Sequence, residues 1–226
     1  MTGREQLLSF LAKADDPNSG GRQMPQHYGH KALRIVSQSS PTGTQFLQAV
    51  GCAMACKMEK SKEVVYVSSG EGTTSQGDFH EALNWASNAK APVIFHIQDN
   101  EYAISTHRSE QTASSIYDIT SGYNNLSRYE VDGSDFFETS LAFKQAVERA
   151  RRNKGPSVIV SHVVRLLPHS SSDDQRKYRD EKALTADQKK DPLVILESTC
   201  VSEKLIMPDE FEKIRSQIEN LSLIHI

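Results

Sequence analysis

The stretch VVYVSSGEGTTSQGDFHEALNWASNAKAPVIFHIQDNEYAIST, residues 64–106, constrains the fold more than any other part of the chain. Residues 64–67 are an unbroken apolar run, the pattern of a strand buried on both faces. The run gives way to Gly70-Glu71-Gly72, where two glycines free the backbone for a tight turn. From Gln76 the apolar residues take helical spacing, with Phe79, Leu83 and Ala86 in one stripe and Ala82 and Trp85 expected on the same side. Pro92 ends that helix, and residues 93–97 form a second apolar strand closed by Asp99 and Asn100. Strand, helix and strand within about 35 residues make one right-handed crossover unit, so the two strands should run parallel.

In a parallel sheet, ligands gather beyond the carboxyl ends of the strands. Glu71 follows the first strand and Asn100 the second, so strands about 4.8 Å apart would bring both side chains to one small cation. The N–H groups of Gly72, Thr73 and Thr74 favour a phosphate. Mg²⁺ is commonly held by one or two carboxylates together with ligand phosphates. The combination reads as a site for a Mg²⁺-bound diphosphate, against the plainer alternative of a tight turn in a doubly wound sheet. A nicotinamide site fits poorly, because the third glycine and the ribose-binding acid are missing.

A chain of 226 residues suffices for one large domain, or one with a tail. Its net charge of −3 gives no reason to expect nucleic acid as a partner. No apolar run approaches the roughly 18 residues of a membrane span, and no secretory leader is visible, so no membrane is expected and the cytoplasm is the expected location. Cys52, Cys56 and Cys200 lack zinc-ligand spacing, and Cys52 and Cys56, four apart in a helical stretch, read as buried thiols.

The organisation is read as an N-terminal helix and loop over 1–20, truncated at its start, a ligand-binding domain over 21–182, and a helical segment over 183–226. Ser39-Ser40-Pro41-Thr42-Gly43 is turn chemistry, and Thr44 can cap a helix reaching about Met58. That helix carries Ala49, Gly51, Ala53 and Ala55, which suit a packed core or a subunit contact. A short strand over 128–131 precedes an amphipathic helix over 137–152, with Leu141, Ala142, Ala146, Val147 and Ala150 inward. A buried strand over 157–164 follows, in which His162 reads as a satisfied sheet histidine. It leads into RLLPHSSSDDQRKYR, a polar loop on its own terms, but one that falls at the same carboxyl edge. Pro192 and Pro208 open two further helices. The closing LSLIHI abandons the charged-helix pattern, as truncated or foreign sequence would.

The 70–100 stretch resembles the thiamine diphosphate motif, which opens Gly-Asp-Gly and closes on Asn-Asn. With glutamate in the middle position it is similar to the branched-chain type of 2-oxoacid dehydrogenase first component, as an α subunit or the α half of a fused α/β form. Arg22-Gln23-Met24-Pro25, His27-Tyr28-Gly29, Ser39-Ser40-Pro41 with Thr44-Gln45, and the run from Arg165 through His169 to Asp173-Asp174 resemble the same family. Together these blocks cover roughly residues 20–200.

The resemblance implies an α/β architecture, the three-layer thiamine diphosphate-binding fold with a mostly parallel sheet. It implies oxidative decarboxylation of a 2-oxoacid, with acyl transfer to the lipoyl domain of the acyltransferase component. Glu71, Asn100 and the Tyr102 carbonyl would hold Mg²⁺, and Gly70, Glu71, Gly72 and Thr73 would line the diphosphate. Ser40 and Thr42 would position the aminopyrimidine through backbone groups, and Ser39, Pro41, Thr44 and Gln45 would hold K⁺. Arg165 would present a planar fork to phosphate, and His169 would act as a catalytic residue able to donate or relay a proton. Ser170 matches a serine that is phosphorylated in mitochondrial members. The partners implied are a β subunit or β half, in an α2β2 or fused dimer, with the mitochondrial matrix as the location in a eukaryote.

Several positions depart from the pattern. Thr42 and Gly43 replace Leu-Ala, Gln98 replaces a phosphate-contacting arginine, and Asp99 replaces the first asparagine. No Tyr-Arg pair precedes residue 20, and the glutamate that activates the pyrimidine belongs to the β portion. Two rival readings are another thiamine diphosphate enzyme, acetoin- or transketolase-like, and a non-catalytic assembly subunit. The 165–174 loop and Arg22 to Pro25 speak against transketolase, and the near-complete ligand set speaks against an inert subunit.

Overall fold

The computed structural model describes residues 1–24 and 27–224, with side chains through Asn220. Pro25 of the Arg-Gln-Met-Pro motif and the side chains of LSLIHI lie outside the described residues. The first half of the chain forms α1 (Gly3–Phe10), α2 (Thr44–Met58), β1 (Val65–Gly70), α3 (Gly77–Ala89) and β2 (Val93–Asp99). A small hairpin, β3 (Tyr102–Ala103) and β4 (Thr106–His107), leads to two single-turn helices, α4 (Arg108–Gln111) and α5 (Ile116–Ile119). Then come β5 (Ser127–Asp132), α6 (Phe136–Arg151), β6 (Ser157–His162), α7 (Glu181–Gln188), α8 (Pro192–Ser202) and α9 (Pro208–Ile224).

Four parallel strands make the main sheet in the order β1-β2-β6-β5. The register sets Val65 opposite Val93 and Gly70 opposite Gln98, so β1 and β2 end together at one rim. Asp99 and Asp132 both lie opposite His162, which brings the other two carboxyl ends to that rim. One face is covered by α2 and α3, where Phe46, Val50, Phe79, Leu83 and Phe95 are wholly buried. Phe46 sits at the centre of this layer, its ring 5.0 Å from Phe79 and 6.1 Å from Phe95. The other face is covered by α6, through Ala142 and Ala146 against Ile94, Val131 and Ile159. The result is the three-layer α/β architecture expected from the sequence, with β1 and β2 adjacent and parallel as the crossover argument requires.

Local expectations fail where geometry is finer than hydropathy. The apolar start of β1 is not buried on both faces: β1 is the edge of this sheet and Tyr66 is 54% exposed. Trp85 is 47% exposed, because at 100° per residue it falls about 120° from Phe79, off the buried stripe. Leu141 likewise points outward, while Ala142, Ala146 and Ala150 are buried. Thr44 does not cap α2. The cap position is Gly43 at φ +97°, and Thr44 Oγ1 turns back to donate to the Pro41 carbonyl at 3.1 Å. Only glycine adopts that φ without strain, and it lets the 39–45 loop enter the helix abruptly. Gly70 is extended, so its glycine is not demanded by the turn; Gly72 is demanded by space. A Cβ on Gly72 would lie 2.7 Å from the Ala103 Cβ.

Candidate cofactor and metal site

The strand ends that share a rim carry the two residues singled out by spacing. After β1 the chain turns through a 3-10 segment, Glu71–Ser75, in which Glu71, Thr73 and Thr74 are buried. Glu71 is only 2% exposed. Its Oε2 accepts the Asn100 backbone N–H at 3.2 Å, which ties the end of β1 to the end of β2. Its Oε1 is buried without a hydrogen-bond partner. Burial pushes the Glu71 carboxyl up from the ordinary 4.5, and the neighbouring Asp99 pushes the same way. Hydrogen bonds from its own and the Asn100 N–H, together with the Arg108 guanidinium, pull it back. A buried carboxylate oxygen with no donor costs free energy unless something positive meets it. The donor set therefore fits a hard cation: one carboxylate, one amide oxygen on Asn100, and main-chain carbonyls at the same rim. Asn100 Oδ1 accepts the Tyr102 N–H at 3.3 Å, which holds that amide and the Tyr102 backbone side by side. Among the described residues no cluster of three or more His, Cys, Asp and Glu could hold a metal, so a site built on Glu71 must draw on amide and carbonyl oxygens.

The other candidates arrange themselves around this pair to different degrees. Thr73 is buried, and its Oγ1 accepts from Ser69 Oγ at 2.7 Å. Gly43 approaches the same turn, since a Cβ there would meet Gln76 Cβ at 3.0 Å and Thr73 Cγ2 at 3.7 Å. The loop holding Ser40 and Thr42 thus abuts the Glu71 turn. Within that loop Ser39 Oγ, the Pro41 carbonyl and Thr44 Oγ1 converge, with Thr44 Oγ1 and Ser39 Oγ 2.6 Å apart. At the fourth position proposed for potassium, Gln45 Oε1 accepts the Gly43 N–H of the same loop at 3.1 Å. Ser40 Oγ lies 3.8 Å from Met24 Sδ.

Arg165 reaches the rim from beyond β6. Its Nη1 donates to the Ile104 carbonyl at 3.0 Å and its Nη2 to Tyr178 Oη at 2.6 Å, and its guanidinium lies 5.7 Å from the Tyr102 ring. His169 is not drawn in with the others. It is exposed, and its backbone N–H donates to Asp173 Oδ2 at 2.9 Å. A cavity of about 540 Å³ runs beside this loop, lined by Arg165, Pro168, Ser172 and Leu184 rather than by Glu71. His162 is satisfied as expected, with Nε2 2.9 Å from Glu130 Oε1.

Two contributors, Arg108 and Gln111, escape sequence reasoning, and a third, Asp99, is legible there only as a departure from the motif. Asp99 is wholly buried and ion-paired to Arg108, and Gln111 Nε2 donates to the Gly72 carbonyl at 2.6 Å. All lie at or just after the end of β2, where single-turn elements leave no periodic signal.

Comparison with known proteins places these features in context. Residues 1–221 match the family described as Dehydrogenase E1 component. The 2-oxoisovalerate dehydrogenase subunit alpha of Bacillus subtilis is 45% identical over 214 residues, covering 94% of this chain and 64% of that protein. The subunit of the same name from Pseudomonas aeruginosa is 34% identical over 219 residues, 95% of this chain and 52% of its own length. The mitochondrial form of Homo sapiens is 43% identical over 160 residues, 70% of this chain and 36% of the human one. The chain thus spans less than two thirds of the length of each of these relatives.

Proposed function

The chain belongs to the Dehydrogenase E1 component family, and on that premise we propose that it is the α portion of a branched-chain 2-oxoacid dehydrogenase first component. The reaction would be oxidative decarboxylation of a 2-oxoacid, with the acyl group passed to a lipoyl domain. The single observation that carries this reading is the buried Glu71, whose free oxygen and Asn100 tie stand at the joined ends of two parallel strands.

Thiamine diphosphate, when bound, supplies the stabilised carbanion chemistry that decarboxylation needs. The chain's own residues supply place and charge. Glu71, the Asn100 amide and the Tyr102 carbonyl would hold Mg²⁺, with Gly70, Gly72 and Thr73 lining the diphosphate. Ser40 and Thr42 would orient the aminopyrimidine, and Ser39, Pro41, Thr44 and Gln45 would hold K⁺. Arg165 would guard the phosphate end, where its fork of donors suits an anion. His169, exposed on the neighbouring loop, would work as the catalytic proton carrier once partner and lipoyl domain close over it. A β subunit or β half would complete an α2β2 or fused dimer, in the cytoplasm of a bacterium or the mitochondrial matrix of a eukaryote.

The test is calorimetric titration with thiamine diphosphate and Mg²⁺, followed by ferricyanide reduction with 2-oxoisovalerate in the presence of a β subunit. Binding that needs Mg²⁺, and turnover that needs both proteins, are expected. Absence of binding to the reconstituted assembly would overturn the proposal.

A further inference from the structure

The two halves of the proposed site touch each other through one direct bond, from the Asn100 N–H to Glu71. A second bridge between them runs through residues 101–111, anchored by Arg108 and Gln111, neither of which belongs to the proposed ligand set. At one end Arg108 Nη1 donates to Asp99 Oδ2, and the Asp99 side chain is wholly buried. Asp99 Oδ1 accepts the Glu101 N–H at 3.0 Å, and the Arg108 N–H donates to the Glu101 carbonyl at 2.8 Å, which closes the segment on itself. At the other end Gln111 Nε2 donates both to the Gly72 carbonyl at 2.6 Å and to Ser75 Oγ at 2.9 Å. Between these anchors Ala103 fills the space over Gly72 that a side chain there would need.

We propose that Arg108 and Gln111 are positioning residues that clamp the Glu71 turn to the Asp99–Asn100 strand end and so preorganise the metal and diphosphate site. The proposal rests on the reading of Glu71 and Asn100 as that site. Three features set the segment apart from an ordinary surface loop. The helix α4 has four residues and cannot hold its shape alone. Glu101 and Ile104 keep left-handed backbones, at φ +68° and +59°, a strain that persists only where surroundings over-determine the chain. Gln111 also keeps its Oε1 buried without a partner, so its amide is fixed by the two bonds that it donates to the Glu71 turn. Ligand-holding groups gain affinity when a supporting layer fixes them beforehand, and loss of such a support typically weakens metal binding 10–100-fold.

Hydrogen exchange of the full chain, in wild type, Arg108→Gln, Gln111→Met and the conservative Arg108→Lys, tests the clamp without cofactor. Both disruptive variants should speed exchange about ten-fold at amides 71–76 and 99–102, with Arg108→Lys between them and wild type. Faster exchange confined to residues 101–112 would overturn the proposal. In the assembly with a β subunit, the same variants should raise the cofactor Kd in Mg²⁺ about ten-fold while kcat at saturating cofactor stays near wild type. Unchanged Kd alongside normal wild-type binding would also overturn it. If wild type binds no cofactor, the site assignment fails by itself, and the exchange data still decide whether the clamp exists. Should Arg108→Gln prove too unstable to fold, Arg108→Lys takes its place: faster exchange at 71–76 supports the clamp, and wild-type exchange there overturns it.

Discussion

Glu71 holds two opposed demands in one side chain. Buried and short of one partner, it destabilises the chain when no cation is present; as the one carboxylate proposed for the metal, it cannot be spared. Its carboxyl is raised, so between 4.5 and its folded value the native state binds more protons than the unfolded one, and stability falls as pH rises through that window. Glu71→Gln keeps an oxygen for the Asn100 N–H and removes the charge. It is expected to raise the stability of the cofactor-free chain at pH 7 by about 1–2 kcal/mol, read from urea unfolding, while weakening Mg²⁺-dependent cofactor binding about 100-fold. Gly72→Ala makes the converse case. With Ala103 only 2.7 Å from the new Cβ, the turn or the hairpin must shift, at a cost of about 1–3 kcal/mol and with weaker cofactor binding. An unchanged unfolding midpoint in Gly72→Ala would mean that the hairpin does not press on the turn.

At the scale of elements, β2 carries a buried polar link that the apolar pattern of 93–97 conceals. His96 lies between Tyr66 on β1 and Ser161 on β6, with Nδ1 2.9 Å from Tyr66 Oη and Nε2 2.9 Å from Ser161 Oγ. The Phe143 ring closes the pocket edge-on, at 5.1 Å between centroids. Burial holds the imidazole below its ordinary 6.5. Below pH 6.5 the unfolded chain therefore binds the extra proton first, and stability drops as pH falls towards the folded value. Thermal unfolding from pH 7.5 to 5.5 should show a steeper loss in wild type than in His96→Asn; equal slopes would place the acid sensitivity elsewhere. The long elements are legible in the sequence because each repeats its signal: Phe79, Leu83 and Ala86 give α3, and 93–97 give β2. Glu71 and Asn100 are legible for the same reason, since each simply follows a strand. Arg108 and Gln111 are not, because a two-residue strand and a four-residue helix carry no period, and because their partners are a carbonyl and an Asp that reads only as a departure from Asn. Trp85 and Leu141 depart from expectation for one cause: apolar character does not set inward direction, which the helical angle alone decides.

On the scale of the whole molecule, the sheet has an open flank. Tyr66 on the edge strand β1 is half exposed, and on α2 Ala49 and Ala53 are buried in the core while a Cβ on Gly51 would meet nothing within 4 Å. The site shares this incompleteness. The rim is proposed to hold metal and diphosphate, and the family resemblance implies that the glutamate that activates the aminopyrimidine comes from a β portion. General acid–base groups of that kind contribute about 10²–10⁴-fold. The isolated chain is therefore expected to bind thiamine diphosphate weakly and to decarboxylate 2-oxoisovalerate at a rate at least about 100-fold below that of its mixture with a β subunit. Stopped-flow or ferricyanide assays of the chain alone, then with increasing β subunit, measure this directly. A rate that rises to a plateau at a fixed ratio of the two proteins is the expected result, whereas full-rate turnover by the chain alone would place the activating group among its own residues.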